Sequence, residues 1–178
     1  RTAVAFSRSI KDSKNFCYYF HSIIDDFEAE HPDEDNLLKV QLDHVDGGMN
    51  AVTRGHKLDW LKEPGPANRC RVLSNARCLS EGVDVPSLDA VIFLNPRNSV
   101  VQSVGRVMRK PQTGDKQYGY IILPIGIPAG IAPEEALKDN KKYAIVWQVL
   151  QALRSHDDRF NAVINQIELN KKAPPQIG

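Results

Sequence analysis

The sequence predicts an α/β fold built on a doubly wound, mostly parallel sheet with flanking helices. Three observations carry that expectation. Short apolar runs recur at residues 2–6, 70–73 and 90–94, and the last, AVIFL, is continuous enough for a strand buried on both faces. Stretches with helical period separate the strands, as parallel pairing requires. Polar and glycine residues follow the strands at Ser7 and Arg8, at Asp46 to Gly48, and across 74–82, and ligands of such sheets sit beyond the strands' carboxyl ends.

Taken in order, the first strand is stopped by Ser7, Arg8 and Ser9, which supply a turn and an N-cap. From Ile10 the residues Phe16, Cys17, Phe20, Ile23, Ile24 and Phe27 recur at helical spacing and predict a helix with one apolar stripe, ending near Pro32. Asp33, Glu34 and Asp35 form an acidic cluster. A magnesium-binding box belongs at the C-terminal end of a buried strand, whereas this cluster precedes one, so it reads as a solvated loop. Residues 37–45 alternate as a strand and run into Asp46, Gly47 and Gly48, a sharp turn at which backbone can approach a ligand. Asn50 caps a second helix with Val52, Leu58 and Leu61 on its apolar side and Arg54 and Lys57 on its polar side.

Residues 63–68, rich in proline, form a loop before the strand beginning at Cys70. In the next connection Gly82 permits an unusual backbone angle, Asp84 places a carboxylate two residues on, and Pro86 stiffens the exit. Beyond strand 90–94, the stretch NSVVQSVGRVMRK (98–110) reads as a helix. Val100, Val101, Val104, Val107 and Met108 lie to one side, and Gln102, Arg106 and Arg109 line another over ~10 Å. An amide and two guanidiniums in a row suit phosphate oxygens, although such a face taken alone is more often a solvated surface. Gly105 inside this helix costs about 1 kcal/mol relative to alanine and asks for a reason such as close packing. A loop (111–117), a strand (118–125) and two further helices complete the chain. Leu137, Ala144, Trp147, Leu150 and Leu153 mark the first helix, with Trp147 in its core face, and Phe160, Val163, Ile164 and Ile167 mark the second. The expected division is an α/β domain at 1–128, a helical extension packed on it at 129–170, and a linker or chain end at 171–178.

With 42% hydrophobic and 25% charged residues the chain is neither disordered nor fibrous, and a net charge of +1 gives no bulk attraction to nucleic acid, leaving room only for a local basic patch. Three cysteines without a CxxC pair fit a reducing cytoplasm and core thiols rather than zinc ligands, so no metal site is expected. No apolar run approaches the ~20 residues that span a bilayer, so no membrane partner is expected. The chain opens directly into a strand, as an excised domain would.

SEGVDVP, a buried strand and then QSVGRVMRK resemble motifs V and VI of superfamily 2 helicases, the latter running Gln, two residues, Gly-Arg, two residues, Arg. AVAFSRSI is similar to motif IV, and DGGMNAVTRGHKLDWLK to the segment after it. LSNARCLSEGVDVPSLDAVIFLNPRNS, YGYIILPIGIPAGIAPEEAL and the helices through HDDRF resemble more closely the helicase portion of bacterial type I single-polypeptide restriction-modification enzymes. The resemblance implies the second of two RecA-like domains in an ATP-driven motor acting on nucleic acid, with double-stranded DNA the expected track. Arg106 and Arg109 then match arginines that reach the nucleotide across the interdomain cleft, Gln102 supports the nucleotide, and Gly82 and Asp84 lie near the ribose or the arginines. Ser7, Arg8, Gly47 and Asn75 would face the nucleic-acid backbone as positioning contacts.

Two departures stand out. Ala76 replaces the threonine that many relatives carry in motif V, with Asn75 as a substitute contact, and the link from Pro96 to Gln102 is a few residues shorter than usual. The chain has no GxxxxGK[ST] loop. ATP and Mg2+ are therefore expected to be held mainly by the N-terminal RecA-like domain of the same polypeptide, with no tightly bound cofactor and no ATPase activity in this domain alone. The rival expectation is a non-catalytic module that docks a protein through its C-terminal helices. A small-molecule transferase lacks its glycine fingerprint after the first strand.

Overall fold

The computed structural model describes residues 1–32, 37–76, 78–79, 88–95, 103–105, 107, 118–132, 135 and 143–156. Strand β1 (Thr2–Ser7) leads into helix α1 (Ile10–Glu30), then β2 (Lys39–Asp46), α2 (Ala51–Lys62), β3 (Arg69–Ala76), β4 (Ala90–Phe93), β5 (Tyr120–Ile122) and α3 (Ala144–His156). The five strands form one sheet in the order β2-β3-β1-β4-β5, every pair parallel. This is the parallel α/β architecture that the alternation of apolar runs and helical stretches predicts, and it is the RecA-like fold that the resemblance implies.

The order explains the layering. The chain steps outward from β1 to β2 and back inward to β3, so crossovers of one hand place α1 and α2 on opposite faces. Alternation along β1 then divides the core. Val4 and Phe6 join Leu61, Leu73, Val91, Phe93, Val104, Val107, Ile145 and Val149 on one face, while Ala3 and Ala5 join Val72 and Ile92 on the other, beside Phe16. Phe6 and Phe93 stack across neighbouring strands with centroids 5.5 Å apart. The end of α2 is closed by the buried Arg71, which stacks on Trp60 and donates to the Trp60 and Glu63 carbonyls and to the Glu63 carboxylate.

Several expectations need correction. β2 begins at Lys39 rather than Leu37, and β5 is confined to Tyr120–Ile122 rather than spanning 118–125. β3 runs further than expected, to Ala76. Val52 is 67% exposed and does not share a face with Leu61; nine residues at 3.6 per turn set the two about 180° apart. The apolar stripe of α1 is only partly covered, with Ile23 and Phe27 exposed and Ser13 its one buried residue. A 21-residue helix is about 31 Å long, whereas the six residues of β1 span about 20 Å, so the end of α1 overshoots the sheet. Beside it an apolar trough of about 450 Å³ opens over Ala3, Val40, Val72, Ile92 and Ile122.

Ser103, Val104, Gly105 and Val107 are helical, and Val104 and Val107 are buried in the larger core cluster, as the sequence predicts for that side. The helix is seated against Gly119, where an added Cβ would meet the Val107 side chain and lie 2.7 Å from the Val107 carbonyl oxygen. Val100, Val101 and Met108, the acidic cluster 33–35 and the second C-terminal helix lie outside the described residues.

Candidate nucleic-acid interface

Register brings three strand ends to one level. Ser7 of β1 and Asp46 of β2 both pair with Ala76 of β3, which places Ser7 and Asp46 about 10 Å apart on a continuous rim. Sheet order reverses direction here: the chain builds β2 and β3 on one side of β1 and then β4 on the other. The ends of β1, β3 and β4 therefore border the crevice at which such sheets bind ligands.

Two buried polar atoms at this rim have no hydrogen-bond partner, Ser7 Oγ and Asn75 Oδ1. Asn75 has no solvent exposure, and its Nδ2 donates to the Ala5 carbonyl at 2.9 Å, which fixes the amide and leaves its oxygen unpaired. A buried polar atom left unpaired costs roughly 1–3 kcal/mol, so two at adjacent strand ends are retained at a cost to stability. Arg8 anchors the rim by its backbone N–H, which donates to Asn95 Oδ1 at the end of β4. Its guanidinium is exposed and held only loosely, 3.5 Å from Asp12. Ser9 caps α1 by accepting from the Asp12 N–H, so the helix begins at the rim.

The turn after β2 is organised by Asp46. Its Oδ1 accepts from the Gly48 N–H at 2.7 Å and its backbone carbonyl accepts from the Met49 N–H at 3.3 Å. Asn50 caps α2 through the Thr53 N–H. Gly47 is exposed, and nothing lies within 4 Å of where its Cβ would be. Neither steric crowding nor a left-handed backbone requires a glycine there.

Beneath the turn lies a buried polar chain. His44 Nε2 is 2.8 Å from Asp46 Oδ2, His44 Nδ1 is 2.7 Å from Ser13 Oγ, and Ser13 Oγ is 2.6 Å from Ser74 Oγ. An ionised carboxylate only accepts, so Nε2 of a neutral imidazole carries its hydrogen; Nδ1 then accepts from Ser13, and Ser13 from Ser74. The hydrogen bond from His44 holds the Asp46 carboxyl below the usual aspartate range, against the opposing effect of burial and with help from the Gly48 N–H. Serine, histidine and aspartate follow in the order of a hydrolase triad, but with the ring nitrogens exchanged, Nδ1 facing the serine and Nε2 the aspartate. Ser13 also has no solvent exposure, so no substrate reaches it and the chain is a structural network.

The four nucleic-acid candidates Ser7, Arg8, Gly47 and Asn75 thus stand on one rim. Gly82, Asp84, Gln102, Arg106 and Arg109 lie outside the described residues. Sequence reasoning missed Asn95 and the chain Ser13–His44–Asp46–Ser74. One signal was present: His44 and Asp46 are alternate residues, hence on one side of a strand that ends in two glycines. Cys17, Cys70 and Cys78 are free and half-buried, and burial pushes each thiol up, away from the reactive thiolate. Among the described residues no helix is long and apolar enough to cross a membrane.

Comparison with known proteins gives three findings. Residues 3–111 match the model of the helicase conserved C-terminal domain. A probable helicase of African swine fever virus is 35% identical over 92 residues in a Kenyan pig isolate and 34% in the Badajoz strain, an alignment covering 50% of this chain and 10% of the viral protein. The solved structure of the ATP-dependent Type ISP restriction-modification enzyme LlaBIII bound to DNA superposes with a TM-score of 0.75 at 46% identity, covering 99% of this chain and 11% of that one. The chain thus spans about a tenth of the length of these proteins.

Proposed function

The chain belongs to the helicase conserved C-terminal domain family, and from that premise we propose that it is the second motor domain of an ATP-dependent DNA translocase within a restriction-modification system. The observation that carries the reading is the rim itself, where the exposed Arg8 guanidinium and the open Gly47 share one edge with Ser7, whose Oγ has no partner. Such groups gain partners when a phosphodiester backbone lies along the rim. Ser7, Arg8, Gly47 and Asn75 position the strand and read no bases. Likeness to an enzyme whose structure contains DNA supports DNA as the track.

In this reading Arg106 and Arg109, close in sequence to the buried Val104 and Val107, stabilise charge on the transferred phosphoryl group when two motor domains close. Gln102, Gly82 and Asp84 border the nucleotide. The sequence carries no GxxxxGK[ST] loop, so the reading assigns Mg2+ and the phosphates mainly to the N-terminal RecA-like domain of the same polypeptide. When bound, the metal neutralises developing charge; this chain contributes closure and positioning. The assembly would work in the cytoplasm.

Two substitutions in the full-length protein test this. Gly47→Ala should weaken binding to a mixed-sequence DNA duplex about tenfold, because a methyl group enters the space the backbone phosphate would occupy. Thermal stability should hold or rise, since no atom obstructs the new Cβ and the unfolded chain loses freedom. Arg109→Ala should abolish DNA-stimulated ATP turnover while nucleotide binding persists. Unchanged turnover and unchanged DNA affinity would instead favour a non-catalytic interaction module.

A further inference from the structure

We propose that His44 is a positioning residue for the nucleic-acid contact at the turn after β2, acting through Asp46 on the Gly47–Gly48 backbone. The inference rests on the reading of the rim as a nucleic-acid contact.

Asp46 Oδ1 accepts the Gly48 N–H at 2.7 Å, and this bond sets the turn that exposes Gly47. A carboxylate held by one oxygen can still rotate about its side-chain torsions. The second oxygen, Oδ2, is fixed by His44 Nε2 at 2.8 Å. The ring is fixed in turn, because Nδ1 lies 2.7 Å from Ser13 Oγ, and Ser13 is clamped between His44 and Ser74 with no solvent exposure. Gly48 also leaves little slack, since a Cβ there would lie 3.1 Å from Asp46 Oδ1.

The chain's two ends give it a role beyond packing. Ser13 donates its backbone N–H to the carbonyl of Ser9, the N-cap of α1, which directly follows the candidate contacts Ser7 and Arg8. At the other end the chain stops on the turn beside Gly47. One line of hydrogen bonds thus joins the loop after β1 to the turn after β2, the two segments that face the same rim. Stability alone does not require this. The rest of that sheet face is closed by Ala3, Ala5, Val72 and Ile92, and an apolar replacement of paired buried polar groups is often neutral or better. What the polar chain provides is a fixed relative position of two contacts, and recognition groups need placement within about 0.5 Å to act together.

The test uses the full-length protein and a fluorescein-labelled mixed-sequence DNA duplex, with binding and DNA-stimulated ATP turnover both measured. His44→Leu fills the ring's space without a donor, while His44→Gln restores an N–H toward Asp46. Val91→Ala, buried in β4 with β1 and β3 between it and β2, serves as a purely destabilising control. His44→Leu should raise the Kd, and the KM for DNA, about tenfold with kcat at saturating DNA within about twofold, and His44→Gln should recover most of the affinity. Val91→Ala should lower the Tm and leave the KM for DNA alone. An unchanged KM in His44→Leu overturns the proposal, as does an equal rise in Val91→Ala or a failure of the glutamine to rescue. If the wild-type protein itself neither binds DNA nor is stimulated by it, the functional reading fails first, which separates the two outcomes.

Discussion

At the scale of single residues, the buried polar groups divide by whether the fold itself satisfies them. Arg71, His44, Asp46 and Ser13 are buried polar groups with partners on the fold, whereas Ser7 Oγ and Asn75 Oδ1 are buried without them. Asp46 gives a testable consequence of the first kind. Its folded-state pKa is lowered beneath the ordinary 3.8, chiefly by the His44 hydrogen bond. A lowered carboxyl pKa means that the folded state binds its proton less readily than the unfolded chain. Its stabilising contribution is therefore fully present above the unfolded value and is lost as pH falls through the lower folded one. Urea denaturation series from pH 6 down to about pH 2 should show Asp46→Asn less stable than wild type at the upper end, with the gap narrowing on acidification. A gap that is constant with pH would mean that the carboxylate's charge does not stabilise the fold.

Secondary-structure elements raise a different question, why glycine occurs where a helix or strand discourages it. Gly55 lies inside α2 and Gly119 just ahead of β5. A Cβ on Gly55 would meet nothing within 4 Å, whereas one on Gly119 would collide with the side chain and carbonyl of Val107. Gly55→Ala should thus stabilise by up to about 1 kcal/mol, read as a higher urea midpoint at unchanged slope. Gly119→Ala should destabilise by roughly 1–3 kcal/mol, because the helix carrying Val104 and Val107 must shift off its seat. Equal effects at the two positions would refute the packing argument. Most of this architecture was legible in the sequence: the apolar runs at 2–6 and 90–94 and the Ser9 and Asn50 caps predict β1, β4 and the starts of α1 and α2. Periodicity alone misplaces two apolar features. Val52 scored as apolar but lies opposite Leu61, and the α1 stripe outlasts the sheet that should cover it. The rim residues followed from their place after strands, while the hydrogen-bond chain through Ser13 stayed hidden because it joins α1, β2 and β3, residues distant in sequence.

At the scale of the whole molecule, the rim at the strand ends and the helical residues Val104 and Val107 belong to one packed body. Val104 and Val107 share a core cluster with Phe6 and Phe93, and those rings stack immediately below Ser7 and close to Asn95. Displacement of the rim cannot easily be absorbed between these groups, since close-packed interiors transmit strain rather than dissipate it. Under the proposed function, DNA on the rim and nucleotide in the cleft therefore bias the same rigid unit toward the closed arrangement. Linkage then demands reciprocity: the factor by which saturating DNA tightens a non-hydrolysable ATP analogue equals the factor by which the analogue tightens DNA. In the full-length protein, Arg109→Ala should bring both factors toward one together, while affinity for DNA without nucleotide stays near wild type. Calorimetric titrations of each ligand in the presence and absence of the other would measure all four constants. If Arg109→Ala leaves both factors intact, the arginine does not carry the coupling, and the rim and the helix communicate with the cleft by another route.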